Sequence, residues 1–390
     1  MRVLLSCSLG GAGHLTPVVA AARALQRNGH EVLVLVPPAL AEAARQEGVP
    51  FAVGAEPPQS TVEAVWERVR RSPPGTSGGI IDRELFAGAA TDAMLPAARS
   101  LAAEWRPEAV VREPCDYASA VVAHEAGIPQ AQVAISQSGI EYGVLRMVAL
   151  IIDRHQAGVS EAIEAAPFLT PFPPTLDRSP WPQTYRFRQC VPDPQSLPDW
   201  WPGDRRPLVY LTFGSVAGHL PESRPAFAAA LTAVAQLPVR VLMTVGRHVE
   251  LASLGPLPSN VHVAHWVPQA DVLATAELVI CHGGSGTVLG ALGAGVPLVI
   301  CPLFADQMTN GRMASSAGAG VLVPTGPAST GSLDPACVRS AAEQVLRRAS
   351  FREAAQAVAV EMSALPTLEQ ALSELAPAPE LTQYRLPGSR

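Results

Sequence analysis

The chain contains no lysine; all 28 of its basic residues are arginine. A Walker-type phosphate loop needs Gly-Lys-Ser/Thr and Schiff-base catalysis needs an amine, so both chemistries are excluded. Any cationic partner must be an arginine, a histidine, a backbone dipole or a metal ion. No Asp-x-Asp pair occurs either, which removes the commonest short acidic device for presenting a divalent ion to a sugar nucleotide and favours metal-free chemistry. The six cysteines, at 7, 115, 190, 281, 301 and 337, form neither a CxxC pair nor a zinc spacing, and the expectation is reduced core thiols in a cytoplasmic protein. There is no 18-residue apolar run, and the start lacks the basic and apolar regions of a signal peptide, so no stable membrane insertion is expected. A net charge of -6 leaves no basic footprint for nucleic acid.

What is present is globular: 48% hydrophobic against 16% charged residues, in a chain long enough at 390 residues for two domains. The first half opens with an apolar strand over 2–7, a loop Ser8-Leu9-Gly10-Gly11-Ala12-Gly13-His14, and a helix from about 16 to 28 with Pro17 near its start. A strand over 31–36 and a helix over 40–47 follow, and the unit recurs as a strand over 109–112, a helix over 117–126 and a strand over 132–135. Clustered prolines break the pattern between 190 and 206. Strands near 208–213, 239–245, 261–264, 277–281 and 297–301 then alternate with helices. This alternation predicts an α/β chain of two Rossmann-like doubly wound domains facing across a cleft, with ligands at the carboxyl ends of the strands. The expected division is a first domain over 1–195, a linker over 196–206, a second domain over 207–366, and a closing helix and tail over 367–390 that crosses back to the first domain.

The most informative stretch runs from Val279 to Pro302. A strand ends in His282, and Gly283, Gly284, Ser285 and Gly286 open a helix at Thr287; a second strand is followed by Asp306 and Gln307. A helix start leaves backbone N–H groups unpaired at the positive end of the macrodipole, and glycine lets an anion approach closely, which is the chemistry of holding a diphosphate. Other motifs lie at neighbouring strand ends. Gly214 and Ser215 suit a phosphate, Gly246 and Arg247 form a further turn, and Trp266, Val267 and Gln269 offer an indole to stack on a base and an amide to reach a ribose.

The stretches Phe213-Gly214-Ser215, Trp266 to Gln269, His282 to Thr287 and Pro302 to Gln307, with the glycine-rich start, resemble the inverting GT-B glycosyltransferases, most closely the bacterial natural-product branch that attaches deoxysugars to macrolides, glycopeptides, enediynes and aromatic polyketides. The resemblance implies that Trp266 stacks near the base, that Ser215, His282, Gly284, Ser285, Gly286 and Thr287 surround the diphosphate, and that Asp306 and Gln307 bind sugar hydroxyls. It implies a dTDP-linked sugar as co-substrate, no cofactor and no metal.

On the first domain, His14 is the residue suited to take a proton near neutral pH. A carboxylate must fix its tautomer; Glu113 and Asp116 both lie after the strand over 109–112, with the family pattern favouring Glu113 and either one able to cap the next helix. A hydrophobic small-molecule acceptor would contact Gly13, Trp66, Phe86, Met94, Tyr142 and Phe172. Two other readings stand beside this one. A lipid-linked cell-wall N-acetylglucosaminyltransferase shares the glycine-rich loop at 10–17 but calls for a basic apolar surface, and a non-catalytic sugar-nucleotide-binding helper would be expected to lack His14 or the glycine turn. A homodimer is compatible with all three.

Overall fold

The computed structural model describes residues 1–73, 76–214, 217, 223–246, 249–323 and 333–375. Seven short strands, β1 (Arg2–Ser6), β2 (Glu31–Val36), β3 (Phe51–Val53), β4 (Ala109–Arg112), β5 (Gln130–Val133), β6 (Phe168–Thr170) and β7 (Thr184–Arg186), form one sheet in the order β3-β2-β1-β4-β5-β6-β7. Every pairing in it is parallel. Six more, β8 (Leu208–Thr212), β9 (Arg240–Thr244), β10 (Val261–Ala264), β11 (Ala276–Cys281), β12 (Leu298–Ile300) and β13 (Gly320–Leu322), form a second parallel sheet in the order β10-β9-β8-β11-β12-β13. Parallel strands must hide both faces, which is why β8 is buried at every position and each sheet separates two apolar clusters under its helices.

Both strand orders reverse once, between β1 and β4 in the first sheet and between β8 and β11 in the second. Loops leaving such a reversal diverge to opposite faces and open a crevice at the carboxyl ends. His14 and Glu113 follow β1 and β4, and Gly214 and His282 follow β8 and β11, so each sheet contributes its crevice to the same cleft.

The structure departs from the sequence-based expectation in particulars. The first helix begins at Ala12, so His14 stands in its first turn, not in a loop, and Pro17 falls inside the helix. Extended Gly11 and the bond from the His14 N–H to the Gly11 carbonyl (3.1 Å) start the turn early. The fifth strand lies two residues earlier than expected, and β3, β6, β7 and β13 were not foreseen; at three residues each they are too short to show a period. Cys190 and Cys337 are exposed, not core thiols, since they lie in the proline-rich stretch and on an outer helix. Among the described residues no helix is long and apolar enough to cross a membrane.

Candidate active site

On the first domain, Gly10 adopts a φ of 137°, a region other residues rarely enter, and a Cβ there would stand 2.3 Å from the His14 ring. Glycine therefore makes the space that the imidazole fills. The Nδ1 atom of His14 lies 3.4 Å from Oε1 of Glu113. Glu113 is fully buried and fixed by two backbone donors, the Ser8 N–H to Oε1 (2.9 Å) and the Cys115 N–H to Oε2 (2.7 Å). Burial pulls the imidazole pKa down, but the adjacent Glu113 carboxylate, helped by Asp306 and Asp82, more than reverses this and leaves it raised, although Nδ1 makes no well-formed hydrogen bond among the described residues. Asp116 does not join the pair. It occupies the N-cap of the Tyr117–Ala126 helix without bonding its backbone, and its carboxylate accepts the Ser119 hydroxyl.

Arg112 builds the loop that carries Glu113. Its guanidinium is fully buried, with Nη1 donating to the carbonyls of Glu113, Pro114 and Asp116 (3.2, 3.2 and 3.3 Å) and Nε donating to Gln130 (3.1 Å). No motif pointed to it. His14, Glu113 and Cys115 have donor atoms within 4.8 Å of one another and could hold a divalent ion. Burial and the Glu113 charge push the Cys115 thiol well above its ordinary pKa, however, which disfavours the thiolate a metal needs.

On the second domain, Gly284 is the extended N-cap of the Ser285–Gly293 helix; its carbonyl takes the Thr287 N–H (3.0 Å), and no side chain caps the N–H groups of the helix start. The His282 ring packs so closely on two glycines that a Cβ on Gly214 or Gly284 would stand 2.8 or 2.6 Å from it. Burial lowers the His282 pKa to about 4, with the Asp306 charge and the Thr212 carbonyl only partly offsetting it, and Nδ1 is buried without a well-formed hydrogen bond among the described residues. In the unliganded protein this imidazole is neutral.

Asp306 receives the Ser285 hydroxyl (2.7 Å) and the Asn310 amide (2.8 Å), and from across the cleft the Ser136 hydroxyl (3.2 Å). Asn310, fully buried, also donates to the Gly283 carbonyl (2.8 Å) and accepts from Gln137 of the first domain (2.8 Å). Ser136, Gln137 and Asn310 were missed by sequence reasoning; the one signal available was the four-residue step from Asp306 to Asn310 at a helix start. Gln307 is tied into its own loop through one end of its amide. Its Oε1 turns back to accept the N–H groups of Leu303 and Phe304 (2.7 and 2.9 Å), which holds the loop beneath Asp306.

The other residues distribute as follows. Ser285, Gly286 and Thr287 form the first turn of the helix that Gly284 caps, with Gly283 just before it. Trp266 is 55% exposed at the end of β10, Val267 packs inward, and the Gln269 side-chain oxygen lies against Gly290 of that same helix. The Gly246 N–H donates to the His265 carbonyl (2.9 Å). Ser215 and Arg247 lie outside the described residues. Of the acceptor set, Phe86 stacks on His14 with ring centroids 5.4 Å apart, and Gly13 adjoins His14 in its helix. Trp66 is exposed on the Gln59–Arg71 helix, and Tyr142 is tied to Glu164 (2.6 Å). Met94 and Phe172 are core residues, Phe172 packing with the second domain, because their apolar bulk is worth more buried.

Two doubly wound domains with facing crevices are the architecture of GT-B glycosyltransferases, and the spinosyn rhamnosyltransferase SpnG complexed with thymidine diphosphate shares it over 96% of this chain and all of its own (TM-score 0.77, 25% identity). The chain belongs to the erythromycin biosynthesis protein CIII-like family of natural-product glycosyltransferases, whose N-terminal and C-terminal domain models match residues 23–147 and 228–376. It is similar to the L-demethylnoviosyl transferase of Streptomyces niveus (33% identical over 83% of this chain and 85% of that one) and to the elloramycin glycosyltransferase ElmGT of Streptomyces olivaceus (31%, 94% of each).

Proposed function

We propose that this glycosyltransferase moves a deoxysugar from a dTDP-linked donor to a hydroxyl of an apolar aglycone, in a single in-line displacement with inversion and without a metal. The carrying observation is the pairing of His14 with a buried, doubly anchored Glu113 at one crevice, opposite the open helix start at Gly284 to Thr287 at the other. His14 accepts the acceptor proton through Nε2 while Glu113 steadies the imidazolium at Nδ1. The acceptor oxygen attacks the anomeric carbon, and the diphosphate leaves from the opposite face. Helix N–H groups and His282 meet the charge that develops on it, a preorganised stabilisation that needs no ion. Asp306, already bonded to donors from both domains, is placed to exchange them for sugar hydroxyls. The thymidine diphosphate held by SpnG, and the spinosyn aglycone in another structure of that protein, support both halves of this reading. The wall-transferase and helper readings gain no comparable support.

Mass spectrometry of products from a panel of aglycones with dTDP- and UDP-sugars, in the presence of EDTA, tests the reading, and anomeric coupling constants of the product test the stereochemistry. Transfer from dTDP-sugars with inverted configuration and undiminished by chelation is the expected result. Retention, or loss of transfer on chelation, would overturn the mechanism.

A further inference from the structure

The His14 imidazole has a second acidic neighbour that no motif singled out. Asp82 opens the π-helix Ile81–Ala90, four residues before the Phe86 ring that stacks on His14 with planes 24° apart. A π register is rare and collects at functional sites; here the Thr91 hydroxyl closes it on the Phe86 carbonyl (2.8 Å). The Asp82 carboxylate is half-buried, and its influence reaches His14 as well as Cys115 and Tyr117 on the loop and helix after β4. Glu113, Glu141 on the Ser138–Ile152 helix and Asp306 across the cleft add further acidic groups to this region, and the buried Arg112 is the cation that acts on Cys115 and Tyr117. Among the described residues no hydrogen bond and no arginine satisfies the Asp82 carboxylate, and burial raises its pKa to about 6, opposed by His14. On the same helix Glu84, by contrast, is paired with Arg68.

We propose that Asp82 selects the acceptor: its carboxylate accepts a hydrogen bond from a hydroxyl or amino group standing beside the nucleophilic hydroxyl of an apolar acceptor, and it repels acceptors that carry a carboxylate there. The inference rests on the glycosyltransferase reading and deepens it. An unpaired, half-buried carboxylate gains most from a partner that donates, and a second anion in the same space would have to be neutralised first.

Four 7-hydroxycoumarins, bearing hydroxyl, amino, methoxy or carboxylate at C8, provide the test. Their binding is followed by coumarin fluorescence with thymidine diphosphate present, in the wild-type protein and in Asp82→Asn and Asp82→Ala, while NMR follows the His14 titration. The 8-hydroxy and 8-amino compounds should bind about tenfold or more tighter than the 8-methoxy compound, with the carboxylate weakest. Asp82→Asn should bring the carboxylate level with the methoxy compound, Asp82→Ala should level all four, and both should move the His14 titration to lower pH. The same ranking in all three proteins, an unmoved His14, or no binding of any coumarin to the wild type would overturn the proposal. A wild-type protein that shows this ranking but transfers no sugar would sink the glycosyltransferase mechanism and leave the selectivity of Asp82 standing.

Discussion

In its proposed role as the base, His14 works only when neutral, and its raised pKa sets where that happens. The acid limb of kcat/KM should therefore fall above the ordinary histidine value of about 6.5. Glu113→Gln removes the main influence that raises it and leaves the burial that lowers it, so the limb should move to lower pH while the plateau falls; a limb that stays in place would separate Glu113 from His14. His14→Ala should cost at least about a hundredfold in turnover with nucleoside diphosphate affinity kept, read by steady-state kinetics and calorimetry. His282 has the opposite problem. Neutral with a pKa of about 4, it would meet two or more negative charges in the proposed diphosphate site, and its pKa would rise. Diphosphate binding at neutral pH should take up a proton, seen as a calorimetric enthalpy that varies with the ionisation enthalpy of the buffer. The variation should vanish in His282→Asn, and its absence from the wild type would leave the helix start as the main anion-binding group.

Between strands and helices, the loop over 113–116 owes its shape to one buried guanidinium. Arg112→Leu would leave three carbonyls without their donor and Asp116 without a nearby cation. The expected cost is about 3 kcal/mol or more, measured as a fall in the chemical-denaturation midpoint, with weakened turnover even below the unfolding range because Glu113 shifts with the loop. The strand-end motifs were legible in the sequence because they combine glycine, which marks tight backbone, with an apolar run, which marks the strand before it. That was enough for both sheets, both crevices and the His282 turn. Arg112 and Asn310 were not legible, since each acts on groups brought near by folding: Arg112 on carbonyls in its own loop, Asn310 on Gln137 from 173 residues earlier. Gln307 was half legible for a related reason. Sequence shows that an amide is available, and only the folded loop shows that two backbone N–H groups take its oxygen.

At the scale of the whole molecule, the last described helix, Leu368–Ser373, returns to the first domain. Leu368, Ala371 and Leu372 enter its core, Glu369 pairs with Arg27, and the Asn28 amide donates to the Glu369 carbonyl and to Ser373 (3.0 Å each). Leu372→Ala should cost about 2–4 kcal/mol, and the loss should appear as lower protection of β1 and β2 amides in hydrogen exchange, although the mutated residue follows the whole second domain in sequence. Unchanged protection in β1 and β2 would show that the helix merely rests on the surface. The same return has a consequence for biosynthesis. The first domain has all its strands by Arg186, yet the residues that close its core emerge only after the second sheet has been made. On the ribosome, therefore, a nearly finished domain waits with an apolar gap beside its first helix until the helix beyond the second sheet emerges, and a translation stop between the domains releases a sheet without its seal.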